Sequence, residues 1–421
     1  MVTRRNTHYG AVMMLDLDHF KSLNDTQGHD VGDSLLVEVA HRLISAIRSQ
    51  DTVSRLGGDE FVVLLEDLGR SDSEAAGRAE SIAEKIRGEL AKPYLLLNEI
   101  EYFCTVSVGV TVFQGKEHSP ELLLKQADVA LYEAKDAGRD SVRYYSPVMQ
   151  AVIDTRIATE IAMRSAMQHA RFELYYQPQV DHLGMLVGAE ALIRWKDESG
   201  ALVMPDAFIP LAEETGFIVA IGHWVLTTAC QQIKQWECDS RFADLYLSVN
   251  VSARQLHQKD FVQQVIDVIQ DTGANPRRLK LELTERALLE NIKNISKRME
   301  DLIALGVTFS LDDFGTGYAS LSNLKLLPLS QVKIDRSFVQ DVTVDPSDEA
   351  IVRAILAMNN TLGLPVVAEG VENQRQLDFL RENGCAVYQG FYFSRPVPIH
   401  DWESTIEQMS CNGLIASAAP D

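Results

Sequence analysis

Two different rhythms of apolar and polar positions run along this chain. In the first third, short apolar runs alternate with amphipathic stretches. Ala11–Leu15 predicts a buried strand, Ser34–Ile47 carries helical apolar spacing, and Val53–Glu66 reads as two strands broken at Gly57-Gly58. Ser81–Leu90 and Glu121–Ala137 predict further helices, and Cys104–Phe113 alternates like a strand. Helices laid on a sheet built mainly of hairpins predict an α+β domain over residues 1–145. Ser146-Pro147 then opens a long helical stretch, expected to connect the halves over residues 146–170, with proline in its first turn as the start signal. No Gly/Ser-rich linker separates them, which predicts semi-rigid coupling.

From Phe172 onward the rhythm becomes strand, loop, helix, repeated. Strands are expected near Glu173–Gln177, Leu186–Ala191, Leu245–Val251, Lys280–Leu283, Thr308–Leu311, Gln331–Ile334, Val366–Ala368 and Ala386–Gln389. Repetition of β/α units over roughly 240 residues is the length of one (β/α)8 barrel. This α/β domain is expected over residues 171–410, with a tail at 411–421.

Composition narrows the function classes. A chain of 421 residues exceeds one ordinary core, and a hydrophobic fraction of 46% with 24% charged residues is that of a folded globular protein. The formal net charge of −21 argues against binding a nucleic-acid polymer or an anionic membrane surface. A phosphate-ester ligand would then need local Arg and Lys, or bound metal, to gather it in. The cysteines Cys104, Cys230, Cys238, Cys385 and Cys411 show neither C-x-x-C nor metal-ligand spacing, which predicts reduced thiols in a cytoplasmic setting. No apolar run approaches the roughly 18 residues of a membrane span. The apolar stretch after Arg4 and Arg5 is too short for a signal peptide and runs straight into Asp16 and Asp18.

In the second half the position of the polar residues is informative. Glu190, Asn250, Glu282, Asp312-Asp313, Lys333, Glu369 and Gln389 each fall at or near the expected carboxyl end of a different strand. In a barrel those ends share one rim, so residues far apart in sequence converge. A single carboxylate at a strand end is usually a helix N-cap or a solvated loop residue, and Asp312 and Asp313 alone would suit a cap for a helix starting near Gly317. Seven such placements together are a different matter. Carboxylates gathered at one rim repel one another unless cations sit among them. Oxygen ligation without cysteine or clustered histidine selects Mg²⁺, Mn²⁺ or Ca²⁺. The Asp312-Asp313 pair suits two ions about 3.5–4 Å apart, the spacing used on phosphodiesters.

These segments (EAL followed by Arg194-Trp195, Asn250 in SVNVS, Glu282 in LELTE, DDFGTG from Asp312 to Gly317, VKID around Lys333, AEGVE from Ala368 and Gln389-Gly390-Phe391) resemble the EAL phosphodiesterase family from about Phe172 to Trp402. The resemblance implies a barrel-like fold that linearises cyclic-di-GMP to pGpG with two Mg²⁺ or Mn²⁺ ions. Glu190, Asn250, Glu282 and Asp312 would hold one metal, Asp312 and Asp313 the second, with Glu369 acting on the second metal or its water. Lys333 would orient or deprotonate the attacking water. Arg194 would clamp a phosphate oxygen, while Gln177 and Gln389 would contact the bases or support the site. Glu285 would tie down the DDFGTG loop, to which Gly315 and Gly317 give backbone freedom. Family members commonly pair, so a homodimer through this domain is expected.

The first half carries a second, smaller constellation. Asp16 ends the first strand, and Asp59 and Glu60 follow a Gly57-Gly58 turn whose backbone can approach a phosphate closely. Lys135 and Arg139 are spaced i,i+4, predicting two cations on one helix face. A Gly-Gly hairpin alone is an ordinary turn signal. The longer stretches DLDHFKSLND from Asp16, GHDVGD from Gly28 and RLGGDEF from Arg55 resemble the GGDEF family of diguanylate cyclases, with its palm-like nucleotidyl-cyclase fold. The resemblance implies one or two Mg²⁺ or Mn²⁺ ions with GTP, held by Asp16 and Asp59 and supported by Glu60, and guanine read by Asn24 and Asp33. Phe20 and Lys21 would lie near the phosphates, with Lys135 and Arg139 outside them. Arg48 and Asp51 match the family's inhibitory R-x-x-D, although an i,i+3 surface pair at a helix end is an equally good reading. The helix and turn that normally precede the first strand are missing, so the domain is expected to be truncated at its N-terminus. The chain would then be cytoplasmic, or the cytoplasmic part of a longer membrane-anchored sensor.

Three readings follow: a cyclic-di-GMP phosphodiesterase whose first domain binds GTP in a regulatory role, a bifunctional cyclase and phosphodiesterase, and a catalytically silent receptor for the dinucleotide.

Overall fold

The structure is a computed structural model that describes residues 8–97, 100–115, 118–288, 292–316 and 326–416. Gly317, with the helix start expected near it, and the end of the tail lie outside the described residues. The chain divides into two compact units, 1–158 and 159–421. The helix Pro147–Gln168 spans the division. Among the described residues no single helix is long and apolar enough to cross a membrane.

The first unit contains β1 (Tyr9–Leu17), β2 (Thr52–Gly57), β3 (Glu60–Gly69), β4 (Tyr94–Leu96), β5 (Ile100–Tyr102), β6 (Val106–Gln114) and β7 (Val142–Tyr144). Its main sheet runs β2-β3-β1-β6-β7, while β4 and β5 form a separate hairpin. Only the β6–β7 pairing in that sheet is parallel. The run Ala11–Leu15 is apolar at every position because β1 is buried on both faces. Ala11, Met13 and Leu15 face a core shared with Leu35, Val39, Ala79 and Ala83, and Val12 and Met14 pack with Leu123, Ala127 and Leu131. Helices His29–Ala46 and Asp72–Leu90 supply the first set and Pro120–Asp136 the second. A further helix, Phe20–Gln27, lies within the segment read only as motif. Phe20 and Leu23 are its buried positions, too few for an apolar period to stand out.

The second unit contains β8 (Phe172–Asp181), β9 (Leu186–Lys196), β10 (Leu202–Val203), β11 (Tyr246–Val251), β12 (Leu279–Thr284), β13 (Thr308–Phe314), β14 (Gln331–Ile334), β15 (Val366–Ala368), β16 (Val387–Tyr388) and β17 (Val397–Pro398). Strands β9, β11, β12, β13, β14, β15 and β16 neighbour one another in that order, and β8 pairs with both ends to close an eight-stranded barrel. The barrel class expected from the repeats is met with one modification. β8 is antiparallel to both β9 and β16, and a tight turn at Asp181–Gly184 replaces the first crossover helix.

Strand alternation divides the barrel's contents. On β12, Leu279, Leu281 and Leu283 face the helical shell, whereas Lys280 and Glu282 face inward. The inward set continues with Gln177, Gln179, Glu190, Ser248, Ser310, Gln331 and Lys333, all buried. The barrel interior is therefore polar, and the apolar core lies between strands and helices. One aromatic cluster closes that shell. Trp402 stacks on Trp236 with centroids 5.3 Å apart and meets Tyr176 and Phe242 edge-on.

Candidate functional site

Lys333 stands at the centre of the barrel's polar interior and is fully buried. Its Nζ lies 2.5 Å from Glu369 Oε1, 2.6 Å from Glu282 Oε2, and 3.3 Å from both Glu190 Oε2 and Asp312 Oδ1. Burial alone would discharge such a lysine, but the surrounding carboxylates hold its pKa well above the ordinary value. Lys333 is thus a charged hydrogen-bond donor.

The carboxylates respond unequally to the same environment. Burial pushes Glu282 up to about 8 and raises Glu369 strongly, with the neighbouring carboxylates adding to the rise. Burial likewise raises Asp312, and it raises Asp313 to about 6 with Asp312 adding to that shift. Glu190 goes the other way. Burial opposes its ionisation, yet Lys333 and the amides of Gln389 and Asn250, each donating at 2.6 Å, bring its pKa below the ordinary value.

Asp312 and Asp313 are consecutive, and in a regular strand they would face opposite sides. Here the β13–β14 register shifts between Leu311 and Phe314, and Asp313 adopts φ 54°. This bulge turns both carboxylates toward the same region. The result is two overlapping acidic triads. Ligand atoms of Glu190, Glu282 and Asp312 lie within 4.8 Å of one another, as do those of Asp312, Asp313 and Glu369. Asp312 belongs to both.

The arrangement fits divalent cations. Four carboxylates share one buried ammonium, Asp313 adds a fifth carboxylate beside them, and Glu282 Oε1 is buried without a hydrogen-bond partner. A hard cation satisfies such an oxygen and offsets the excess negative charge. Because Asn250 spends its Nδ2 on Glu190, its carbonyl oxygen is the atom it has to offer a metal.

The remaining expected residues of this half fall around the triads. Gln389 bridges Glu190 and Gln177, donating to Gln177 Oε1 at 3.0 Å and accepting from Gln179 at 2.6 Å. Gln177 in turn donates to the Ser394 carbonyl at 3.1 Å. Gly390 permits that loop because a Cβ there would stand 2.1 Å from the Val371 carbonyl oxygen. Arg194 shares a β9 face with Glu190, four residues further along, with its guanidinium 5.6 Å from the Tyr175 ring centroid. Glu285 accepts from the Gly315 amide at 3.3 Å, linking β12 to the loop after Asp313. Glu190 lies mid-strand, because β9 runs on to Lys196, and so is not at the strand end expected for it.

Below the triads lies a layer the motif reading missed. Lys280 Nζ donates to Gln331 Oε1 at 2.6 Å and sits 3.5 Å from the Tyr246 ring centroid, and burial lowers its pKa to about 8. Ser248 Oγ and Ser310 Oγ are buried there without partners. The available signal was the period of two in LKLELT, which puts Lys280 on the face of Glu282.

In the first unit Asp16 pairs with Lys135 at 2.7 Å and sits opposite Glu60 in the β1–β3 register. Burial raises the Asp16 pKa, and Asp59 and Glu60 contribute in the same direction. Gly58, with φ 54°, makes the turn between β2 and β3 that carries Asp59. Asn24 Oδ1 is buried without a partner, while Asp33 and Lys21 are exposed.

The Phe20 ring packs into the core among the buried residues of that unit. One expectation here is corrected. Arg139 does not share a helix face with Lys135. That helix stops at Asp136, and Arg139 follows in a turn with φ 65°. Arg48 and Asp51 meet in the turn after the His29–Ala46 helix. There Asp51 accepts from the Arg48 amide at 3.0 Å and the Glu66 amide at 3.2 Å, so its carboxylate already holds the backbone.

Known families account for both constellations. The family model described as the EAL domain matches residues 160–396, and that described as the diguanylate cyclase GGDEF domain matches residues 1–141. Among curated proteins, "Bifunctional diguanylate cyclase/cyclic di-GMP phosphodiesterase MucR" of Pseudomonas aeruginosa is 41% identical over 92% of this chain and 56% of its own length. "Cyclic di-GMP phosphodiesterase NbdA" of the same organism is 40% identical over 92% of this chain and 49% of its own. The chain thus spans about half the length of these relatives. Among solved structures, "PaMucR Phosphodiesterase, c-di-GMP complex" is 41% identical, with a TM-score of 0.57 over 58% of this chain and 99% of that one. This chain belongs to the EAL family and carries a GGDEF domain and an EAL domain in tandem.

Proposed function

We propose that the second unit is a phosphodiesterase that hydrolyses cyclic-di-GMP to linear pGpG, and that the first unit binds GTP in a regulatory role. The observation that carries this reading is the pair of acidic triads sharing Asp312 around Lys333. Glu190, Asn250, Glu282 and Asp312 hold one Mg²⁺ or Mn²⁺ ion. Asp312 and Asp313 hold a second, with Glu369 beside it. When bound, such ions acidify a water and neutralise charge on the phosphodiester.

The chain's own groups do the rest. Lys333, kept charged by its carboxylates, donates a hydrogen bond that orients the attacking water. Arg194 presents a planar fork to a non-bridging phosphate oxygen. Gln177 and Gln389 support the site, since their amides are engaged with Ser394, Gln179 and Glu190. Glu285 restrains the loop after Asp313 through the Gly315 amide. In the first unit Asp16 and Asp59 hold metal against the triphosphate with Glu60 beside them, Asn24 and Asp33 read guanine, and Lys135 and Arg139 meet the phosphates. Two copies pair through the second unit.

The test is chromatography of cyclic-di-GMP incubated with Mg²⁺, Mn²⁺ or Ca²⁺, with and without GTP. pGpG should form with the first two ions, Ca²⁺ should inhibit, and Glu190→Ala should form none. Unchanged turnover in that variant overturns the assignment. A bifunctional reading is favoured by one observation, the adjacency of Asp16 and Glu60 across β1 and β3. Incubating Glu190→Ala with GTP and Mg²⁺ decides it, since the absence of cyclic-di-GMP excludes that activity.

A further inference from the structure

The first unit's D-x-D segment contains two aspartates with different surroundings. Among the described residues Asp16 is ion-paired with Lys135 alone, which leaves carboxylate capacity for a metal. Asp18 is only 3% exposed, and both of its oxygens are already engaged. Its Oδ1 accepts from Ser107 Oγ at 2.8 Å, and its Oδ2 accepts from Thr105 Oγ1 at 2.7 Å and from the Asp140 amide at 3.2 Å.

The last of these contacts reaches across the fold. Gly138, Arg139 and Asp140 take φ values of 108°, 65° and 41°, three consecutive left-handed residues of which two carry side chains. Such a turn costs conformational free energy and persists only when its surroundings hold it. On the helix side the Arg139 amide bonds to the Ala134 carbonyl at 3.1 Å and the Gly138 amide to the Lys135 carbonyl at 3.4 Å, and two side chains hold the far side. Asp18 takes the Asp140 amide from beneath, and Arg87, from the Asp72–Leu90 helix, donates to Asp140 Oδ1 at 2.9 Å and to its carbonyl at 3.4 Å. Arg139 is the residue between the glycine and this anchor, so the anchor sets the direction in which its side chain leaves the turn.

We propose that Asp18 is a positioning residue for Arg139, acting through the Asp140 amide to hold a strained turn that presents the guanidinium to a nucleoside triphosphate. This deepens the reading of the first unit as a GTP site and rests on it. Asp18 touches neither metal nor nucleotide, and its effect runs through one backbone hydrogen bond.

The experiment uses the full chain as wild type, Asp18→Ala, Arg139→Ala and the double variant. Hydrogen exchange is followed over residues 138–141, and GTP affinity is measured by calorimetry with Mg²⁺. Asp18→Ala should speed exchange in that segment at least tenfold while the β1 and β6 amides stay protected. It should weaken GTP binding by the same factor as Arg139→Ala, and the double variant should lie within twofold of Arg139→Ala. Unchanged exchange overturns the hold on the turn, and multiplicative losses overturn its action through Arg139. Should Asp18→Ala fail to fold, Asp18→Asn carries the test. Its neutral amide oxygen accepts more weakly than a carboxylate oxygen, so exchange should rise at least threefold, and no rise overturns the inference. A wild-type chain that binds no GTP overturns the GTP reading and Arg139's role in it, while the exchange measurement separately upholds or overturns the hold on the turn.

Discussion

Replacing Lys333 with methionine would keep the bulk of the side chain and remove the one cation that four buried carboxylates share. The four N···O distances, 2.5–3.3 Å, correspond to about 5–7 kcal/mol each of gross attraction at an effective dielectric constant near 20. Most of that is offset in the native state by burying the ammonium and by repulsion among the carboxylates. What the variant loses is the balance, and breaking a buried ion pair typically costs about 3–5 kcal/mol. The figure applies near pH 7.5 without divalent metal. At lower pH the carboxyls of Glu282 and Glu369, whose pKa values burial already raises, take up protons and the loss should shrink. Urea unfolding followed by tryptophan fluorescence reads the barrel alone, because Trp195, Trp224, Trp236 and Trp402 all lie in the second unit. With EDTA present, Lys333→Met should be about 3–5 kcal/mol less stable than wild type at pH 7.5. Saturating Mn²⁺ should recover much of the difference by binding only the folded barrel. A loss below about 1 kcal/mol, or one that does not diminish at pH 5, would refute the view of Lys333 as the internal countercharge.

The pH dependence of the metal-free barrel follows from the same carboxyls. Those of Asp313, raised to about 6, and Glu282, raised to about 8, give up protons more readily in the unfolded chain. Their contribution is therefore fully present below about pH 4 and lost as pH rises, so melts in EDTA should fall from about pH 4 to pH 8, with Glu282 alone contributing above pH 6, while saturating Mg²⁺ flattens the slope. Gly315→Ala should lower barrel stability by about 1–3 kcal/mol, because φ is 102° there and a Cβ would lie 2.9 Å from the Phe338 ring. The same variant should weaken Mn²⁺ binding at least tenfold in a calorimetric titration, whereas unchanged affinity would uncouple this loop from Asp313. Trp402→Ala should cost about 3–5 kcal/mol in urea unfolding by emptying the stack on Trp236, yet leave turnover intact at low temperature.

The eight barrel strands and the polar groups on them were legible because side chains alternate along a strand whatever the surrounding topology. Direction was not. Alternation reads the same forward and backward, so nothing in Phe172–Asp181 distinguishes an inverted strand from a parallel one. The convergence of Asp312 and Asp313 was legible from their chemistry. The means was not, because the bulge and left-handed backbone arise from pairing with β14. Lys280 and Gln331 do not lie at the strand ends that mark the triads, because the barrel interior is polar over more than one layer. Arg139 was misplaced because i,i+4 spacing means a shared face only while the helix continues, and Gly138 ends it.

The inverted strand has a mechanical consequence. In a regular (β/α)8 barrel the chain enters at the face opposite the chemistry. Here Phe172, the first residue of β8, pairs with Trp195 near the carboxyl end of β9, and the Lys196 amide is bonded to the Arg171 carbonyl at 2.9 Å. The polypeptide is thus threaded in at the open mouth, with Gln177 five residues downstream beside Glu190. A tug or twist on the leading segment would therefore meet first the strand that carries Gln177 opposite Glu190, without crossing the barrel.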